Sequence, residues 1–468
     1  MRLYAALFVI GLVGFGAVAW DRIGKQSSAP HFVYQASAWL HGTTEITPPL
    51  TGDDWAKVET VVLDDGSSVS GRRLRSRPVF RTFDGTELPV TRIRQSAGSR
   101  AYVSFPPFPT LVMLPSAMIS GRGGNDVIPT LLVAALILPL TLLVLRRLAA
   151  AQLSTRTIRE DLWLVATLAF GSVLWFSAVQ GKVWFTAHVI GVALALVYAW
   201  ASIEGRHPVI AGLALGAAAL TRTAMAFMFP LFVFEAWRMA VRAAAAAATD
   251  APASASGSMD LRAARHSARR AVLRPLLRFA APIVGFAILG MIYNQVRFGS
   301  PTEFGHSYLE VRQQAQIEQY GLASFHYLGR NLAVAFTLLP ELLPRDPWLQ
   351  ISGHGLAIWV TTPVLLFVVW PRDKNPLHRA LWVTVACVAL PSLLYQNSGW
   401  VQFGYRFSLD YLVFLVMLLA IGGRPLRRLA KTLIVAGIVV NLFGAITFDR
   451  MWKYYRVGGN AYDVVVPH

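Results

Sequence analysis

Two charged residues stand at the start of an apolar segment near the end of the chain. Arg406 and Asp410 lie four residues apart in YRFSLDYLVFLVMLL, and no further charge follows before Arg424. Residues at this spacing share one face of a helix, and charges at the edge of a membrane helix usually face a cavity or a partner. The pair could anchor the helix end as a salt bridge. Alternatively, Arg406 could bind an anionic group while Asp410 orients it.

A second arginine interrupts an apolar segment in the middle of the chain. Arg222 lies in ALTRTAMAF, between two apolar stretches. A guanidinium is hard to leave unpaired in apolar surroundings, and its planar set of donors suits a phosphate. Arg222 could therefore bind a phosphate, or it could pair with a carbonyl or a glutamate. His188, inside another apolar segment, is expected to make a buried polar contact.

Other candidates lie close to the ends of apolar segments. Asp21 follows the first segment and could act as a general base, or it could be an exposed charge. His31 begins the next segment and is a second candidate for proton transfer. Arg297, Glu303 and His306 lie in YNQVRFGSPTEFGH, where they could contact a substrate or form a solvated loop.

The sequence shows no clear metal-binding pattern. No histidine pair or carboxylate cluster has the spacing typical of a metal site, and Cys387 is the only cysteine. Asp53-Asp54 and Asp64-Asp65 could bind a divalent cation, although a turn explains Asp64-Asp65 better. The sequence identifies no certain cofactor, and the binding of a divalent cation stays an open alternative.

Apolar segments long enough to span a membrane recur along the chain. Hydrophobic residues make up 55% of the sequence, and the segments of about 16–20 residues match the length that crosses a bilayer as a helix. We therefore predict an all-α polytopic membrane protein with about 11 transmembrane helices. The net charge of +18 lies mostly in loops between these segments. The positive-inside rule explains it better than nucleic-acid binding does.

The basic loops set the predicted topology, with the N-terminus in the cytoplasm. The first segment ends in Ala17-Val18-Ala19, which could be a signal-peptidase site, but the loop pattern favours a retained helix. The predicted organisation is a first helix at 1–20, an outer loop at 21–126, helices 2–6 at 127–237, a basic flexible cytoplasmic loop at 238–278, helix 7 at 279–296, a second outer loop at 297–353, helices 8–11 at 354–447 and an outer tail at 448–468. Within it, helices 3, 8 and 10 are expected at 161–178, 354–371 and 407–423, and 208–237 as two short helices meeting at Arg222.

The first outer loop is predicted to have structure of its own. Residues 32–41 have a helical pattern and indicate an interfacial helix. Residues 58–94 indicate short strands with turns at Asp64-Asp65-Gly66 and Asp84-Gly85, which is the signature of hairpins. Residues 104–120 carry Pro106, Pro107 and Pro109 near their start, which favours a re-entrant or surface helix over a crossing. We therefore predict a small β insertion above the membrane.

In this order along the chain, the segments resemble the integral-membrane C-type glycosyltransferases, which have the GT-C fold. That family includes protein mannosyltransferases and the lipid A aminoarabinose transferase. The similar stretches are HFVYQASAWLHG, YVSFPPFPTLVMLP, GLALGAAALTRTAMAFMFPLFVF, YNQVRFGSP and QFGYRFSLDYL. Their order together carries the resemblance, because each stretch alone is weak.

The resemblance implies a polyprenyl-phosphate sugar as donor and a lipid, glycan or protein of the cell envelope as acceptor. It implies transfer at the outer face of a membrane, and the arginine-rich, alanine-rich composition points to the inner membrane of a bacterium. Membrane lipids are then partners and nucleic acid is not. Basic residues of the family hold the lipid phosphate, so Arg222 and Arg406 would be phosphate ligands and Asp410 would orient Arg406.

The resemblance also implies an acidic residue in the first outer loop that activates the acceptor hydroxyl. In the family it usually lies three or four residues before the tyrosine of the amphipathic segment. Before Tyr34 this chain reads Ser28-Ala29-Pro30-His31, without an acid. Either Asp21, His31 or a carboxylate of the β insertion fills this role, or the chain lacks that chemistry.

Two other functions stay open. A non-catalytic membrane protein that binds or assembles lipid-linked glycans would need no aligned acid. A transporter would fit the broken helices around Arg222, although the hydropathy shows no two-fold repeat, which counts against it.

Overall fold

The computed structural model describes residues 1–52, 54–249, 261–309, 314–373 and 375–457 of the 468-residue chain. Most of these residues are helical. The helices are α1 Arg2–Val18, α2 His31–Leu40, α3 Pro109–Ser120, α4 Val127–Ala150, α5 Ile158–Ala169, α6 Leu174–Ala178, α7 Val183–Ser202, α8 Pro208–Ala219, α9 Pro230–Thr249, α10 Leu261–Phe298, α11 Gln314–Tyr320, α12 Leu328–Phe336, α13 Ile358–Thr361, α14 Leu377–Leu394, α15 Leu409–Ile421 and α16 Arg428–Thr447.

Six helical segments of the described chain are long and apolar enough to cross a membrane. They are Val127–Ala150, Val183–Gly205, Thr223–Ala247, Ala268–Phe298, Leu377–Leu394 and Arg428–Thr447. The shorter helices α1 and α8 are also apolar. The structure therefore supports a multi-pass helical membrane protein, whereas the prediction of about 11 spans is not confirmed.

Three of the predicted spans are broken or short, and the reasons are local. Residues 161–178 form α5 and α6, separated by a turn at Gly171 and Ser172. Residues 354–371 form α13 and a 3-10 turn that begins at Pro363, which has no amide hydrogen to continue an α-helix. Where helix 10 was predicted, the structure has α15, which contains only 13 residues. It is about 20 Å long, against about 30 Å of bilayer hydrocarbon.

The stretch around Arg222 agrees with the prediction in its first half only. The short helix α8 ends at Ala219, and Arg222 lies in the break that follows. The second helix is not short, because α9 runs to Thr249. Helix also replaces much of the loop predicted at 238–278, since α10 begins at Leu261; residues 250–260 lie outside the described chain. The cytoplasmic location of this segment stays a prediction.

The predicted β insertion between the first two apolar segments is confirmed as a small sheet, and its outer location stays a prediction. Its five antiparallel strands lie in the order β4-β3-β2-β1-β5, with the predicted turns between β1 and β2 and between β3 and β4. The strands are β1 Trp55–Leu63, β2 Ser68–Arg73, β3 Val79–Thr82, β4 Glu87–Pro89 and β5 Ile93–Val103. Gly66 and Gly85 have positive φ values of 82° and 87°, a conformation that glycine adopts without steric cost. A second sheet joins β6 Glu341–Leu342, β7 Leu349–Ser352 and β8 Tyr455–Arg456.

The predicted interfacial helix exists as α2, but it is a buried element. Every residue from His31 to Ala38 is buried, and α2 packs against α3 in a shared apolar cluster. The reason is tertiary, since α3 and the β insertion cover the faces that the sequence pattern alone leaves open. The short helix α3 begins at Pro109 as expected. Together α2, α3 and the sheet form a layer over one end of the helical bundle.

This layer is tied to the bundle by a buried carboxylate at the start of α4. Asp126 accepts hydrogen bonds from the backbone N–H of Ser27 (2.9 Å) and from its hydroxyl (2.5 Å). Burial raises the pKa of Asp126 to about 6. The charged form is therefore disfavoured in the folded protein, even though both hydrogen bonds act in the opposite direction.

Asp126→Asn should raise the melting temperature at pH 7.5, and this gain should shrink on acidification. The folded-state pKa lies above the unfolded value of 3.8, so this carboxyl contributes full stability below pH 4 and loses that contribution as the pH rises through about 6. The difference is at most about 3 kcal/mol. Asparagine can still accept from the Ser27 N–H. Thermal unfolding of both proteins in detergent from pH 4.5 to 7.5 measures the effect. Asp64→Asn, which removes an exposed partner of Arg92, is the control; a pH-independent difference for Asp126→Asn would contradict the prediction.

Candidate functional site

Asp410 is the centre of a buried polar cluster in the helical bundle. It lies in the first turn of α15 and is almost fully buried. The Arg222 guanidinium donates to both carboxylate oxygens, from Nε to Oδ1 at 3.0 Å and from Nη2 to Oδ2 at 2.8 Å. Nδ1 of His188, on α7, lies 3.1 Å from Oδ1. The carboxylate therefore fixes one edge of Arg222 and leaves the Nη1 end outside this paired edge.

This arrangement corrects the predicted partner of Asp410. The i, i+4 spacing pairs Arg406 with Asp410 only if both belong to one regular helix. Arg406 instead lies in a 3-10 turn that precedes α15, and its guanidinium donates to carbonyls of the preceding loop. Asp410 therefore orients Arg222, a residue of the break between α8 and α9.

Arg406 is held by the loop that precedes it. Its backbone N–H donates to Oε1 of Gln402 at 3.0 Å, and its Nη1 donates to the carbonyls of Gly399 and Val401. The side chain is buried, and Nε has no hydrogen-bond partner among the residues that the structure describes. A buried guanidinium donor with no partner is costly. A ligand would satisfy this donor only by reaching into the buried site.

The two arginines lie on the same aromatic ring. Cζ of Arg222 is 5.0 Å from the ring centre of Phe407, and Cζ of Arg406 is 5.5 Å from it. Phe185 lies against Arg406 as well, at 5.1 Å. All three contacts are within cation–π range. Two cations thus share a small region with the carboxylate of Asp410.

A carboxylate of the loop that precedes β1 reaches the same region. Asp54 precedes β1, and its Oδ2 accepts a hydrogen bond from Nε1 of Trp184 at 2.6 Å. Its backbone carbonyl accepts from the Ser104 hydroxyl at 3.0 Å. The Asp54 carboxylate is close enough to Arg406 and Tyr395 for its charge to act on both. The sequence pattern indicates Asp54 only as a candidate cation ligand. The sequence feature that could have identified Asp54 as a candidate base is that it is an acidic residue of the predicted first outer loop.

The two residues predicted for proton transfer have other surroundings. His31 is buried and its ring stacks on Trp55 at 3.9 Å, which places it beside the Asp54 loop. Asp21 accepts from Nε and Nη2 of Arg450 at 3.0 and 2.5 Å. These hydrogen bonds lower the pKa of Asp21. Because Arg450 also donates to the carbonyl of Val18, this ion pair joins the end of α1 to the chain after α16 and favours a structural role for Asp21.

Of the three candidates at the end of α10 and just after it, only His306 approaches Arg222. Arg297 is buried and donates to the carbonyl of Val103 at 2.6 Å, which attaches α10 to the β insertion. Glu303 accepts from the N–H of Gly305 and the hydroxyl of Ser307, so it shapes its own turn. His306 lies with its ring edge-on to Tyr395, 6.4 Å away. Burial lowers the pKa of His306, and the nearby charge of Arg222 lowers it further.

Among the described residues, no group of three or more His, Cys, Asp or Glu side chains is placed to hold a metal ion. Asp53 lies outside the described chain, so the predicted Asp53-Asp54 pair is described at Asp54 alone. Asp64 and Asp65 form a hairpin turn and bind Arg92. The site brings together the guanidinium groups of Arg222 and Arg406, and the carboxylate of Asp54 acts on the second of them.

No family model and no curated protein matches this chain. Three solved structures of the oligosaccharyltransferase from the archaeon Archaeoglobus fulgidus are similar to it. They are an apo form (11% identity, TM-score 0.41), a form tethered to an acceptor peptide (14%, 0.41) and a complex of the enzyme AglB with an inhibitory peptide and a dolichol-phosphate (11%, 0.43). Each alignment covers 98% of this chain and 56% of the archaeal one. The chain thus spans about half the length of those proteins, and similarity at this level assigns neither a family nor an activity.

Proposed function

We propose that this chain is an integral-membrane glycosyltransferase of the GT-C type. It transfers a sugar from a polyprenyl-phosphate donor to a lipid, glycan or protein acceptor at the outer face of a bacterial inner membrane. The observation that carries the proposal is the convergence of Arg222, Arg406 and the loop carboxylate of Asp54. A donor of this kind presents a phosphate next to a sugar carbon, and these three side chains match that pair of groups.

In this proposal the two arginines bind the phosphate of the donor. Asp410 holds one edge of Arg222, so the guanidinium needs little reorganisation when an anion arrives. Arg406 brings an Nε–H that has no partner within the described chain. Two such donors stabilise the negative charge that grows on the phosphate as it leaves, and pre-oriented charges of this kind are a large part of enzymatic rate enhancement.

Asp54 acts as the general base. It takes the proton from the acceptor hydroxyl, whose oxygen then forms a bond to the anomeric carbon. The bond between that carbon and the phosphate oxygen breaks, and polyprenyl phosphate leaves with the electron pair. As the resemblance implies, the sugar inverts its configuration. Trp184 positions the base through its hydrogen bond at 2.6 Å, and the base is expected to lie within hydrogen-bond reach of the acceptor.

Arg406→Gln and Arg222→Gln should each weaken the binding of polyprenyl phosphate by at least about tenfold, since each removes a charge-assisted hydrogen bond to the phosphate. Native mass spectrometry of gently purified protein, titrated with polyprenyl phosphate, measures the bound fraction. Arg94→Gln, on the exposed strand β5, is a matched control for the loss of one arginine. Equal binding by all four proteins would refute the phosphate site and return attention to transport or scaffolding.

A further inference from the structure

The second outer segment exposes a set of large apolar side chains. We define this set as the apolar lip: Phe325, Leu332, Phe336, Leu339, Leu342 and Trp348. Five of them expose 52–80% of their surface, and Leu332 exposes 38%. Isolated apolar residues on a surface are ordinary, but a run of them marks a contact with a membrane or a protein.

The apolar lip is fastened to the end of a candidate membrane span. Helix α12 buries Asn331, Val334 and Ala335, while Leu332 and Phe336 stay exposed. Nδ2 of Asn331 donates to the carbonyls of Leu393 and Tyr395, at 2.9 and 2.7 Å. These carbonyls lie at the end of α14, which is long and apolar enough to cross the bilayer. The apolar lip therefore lies at the level where the bilayer ends.

The surface beside the apolar lip is already lipid-facing. Along α14, the side chains of Trp382, Val383 and Leu390 are exposed, and a membrane-spanning helix exposes such residues to acyl chains. Leu390 lies one turn before the carbonyls that Asn331 binds. Trp359 donates from Nε1 to the carbonyl of Phe336 at 2.8 Å, which adds an indole at the same level. The apolar lip thus continues an apolar surface that lipid covers.

The composition of the apolar lip fits the boundary of a bilayer. Tryptophan and other aromatic residues are enriched where hydrocarbon meets the headgroups. Exposed Arg345 lies between Leu342 and Trp348, and the exposed acids Glu341 and Asp346 pair with Arg456 and Lys453. Charged side chains beside apolar ones are typical of segments that lie in the interface. A protein partner would need no such position next to the end of a span.

We propose that the apolar lip is immersed in the outer interface of the membrane, with the hydrocarbon of the outer leaflet as its occupant. Residues 325–348 are then a membrane-embedded element and no longer a loop in solvent. The proposal rests on the membrane location of the chain and is independent of the proposed sugar transfer. It also places Tyr395, next to the candidate site, at the level of the lipid headgroups.

Site-directed fluorescence in nanodiscs tests whether the apolar lip is immersed in the membrane. Cys387→Ser gives a chain without cysteine, into which Leu342→Cys or Phe325→Cys is introduced and labelled with an environment-sensitive dye. Ser67→Cys, in the exposed turn between β1 and β2, is the control. The nanodiscs contain phosphatidylcholine with a spin label near the head of its acyl chain. We expect the dyes at 342 and 325 to be quenched about twofold or more by this lipid and to be shielded from iodide, and the control to show the reverse.

Two results would overturn the proposal. Dyes at both positions that behave like the control would show a surface in water. Shielding from iodide that rises with protein concentration, without quenching by lipid, would show that a second copy of the chain covers the apolar lip. Two label positions are used because both residues are highly exposed, so neither substitution should disturb folding.

Discussion

Asp54→Asn should abolish sugar transfer while donor binding persists. Asparagine keeps the hydrogen-bond acceptor for Trp184 but cannot take a proton from the acceptor hydroxyl. General-base catalysis contributes about 10²–10⁴-fold, and we expect kcat to fall by about 10³-fold. The measurement is release of polyprenyl phosphate from labelled donor in membranes that contain the variant, together with donor binding by native mass spectrometry.

The control for Asp54→Asn is Asp21→Asn. Asp21 is the other candidate acid of the predicted first outer loop, but Arg450 holds it in an ion pair. After correction for the amount of folded protein, this variant should keep nearly wild-type kcat. Full activity of Asp54→Asn would remove Asp54 as the base. An unchanged glycan profile in cells that produce Asp54→Asn, with a change on deletion of the gene, would favour a non-catalytic binder of lipid-linked glycans.

Trp184→Phe separates positioning from proton transfer. The variant removes the N–H that donates to Asp54 Oδ2 but keeps an aromatic side chain in α7. We expect an intermediate loss of kcat, smaller than that of Asp54→Asn. A loss of folded protein without a change in kcat would instead give Trp184 a packing role.

Asp410→Asn should be strongly destabilising. It removes the charge that compensates Arg222 inside the bundle, and removal of one partner from a buried ion pair typically costs about 3–5 kcal/mol. The variant should also lose donor binding, because Arg222 is no longer fixed. Thermal unfolding in detergent measures the first effect, and native mass spectrometry with polyprenyl phosphate measures the second. Glu59→Gln, which breaks the more exposed pair with Arg73, should cost about 1 kcal/mol or less.

The double variant Asp410→Asn with Arg222→Gln makes this test specific. Removing both charges eliminates the uncompensated guanidinium, so the double variant should recover part of the stability that Asp410→Asn loses. Donor binding should not recover, because one phosphate ligand is absent. Additive losses of stability would contradict the pairing of Asp410 with Arg222, and His188 would then be the main partner of the carboxylate.

Several features of the fold follow from the sequence because their causes are local. The turns at Gly66 and Gly85 were predictable, since a residue with little steric restriction separates β-rich segments. The helix α2, the short helix α3 and the break at Arg222 followed from periodicity, from prolines and from one charge in an apolar segment. The span count was not predictable in this way. Hydropathy does not register the turn at Gly171 and Ser172.

The candidate site shows what the sequence determined and what it left to the tertiary structure. Residue types and apolar context alone selected Arg222, Arg406 and Asp410 as candidates. Only the packing of α15 against the break after α8 paired Asp410 with Arg222, across 188 residues of sequence. Only the layer of α2, α3 and the β insertion brought Asp54 towards Arg406. The physical reason is that hydrogen bonds and hydropathy within one segment act locally, whereas the contacts between segments depend on how the whole bundle buries its surfaces.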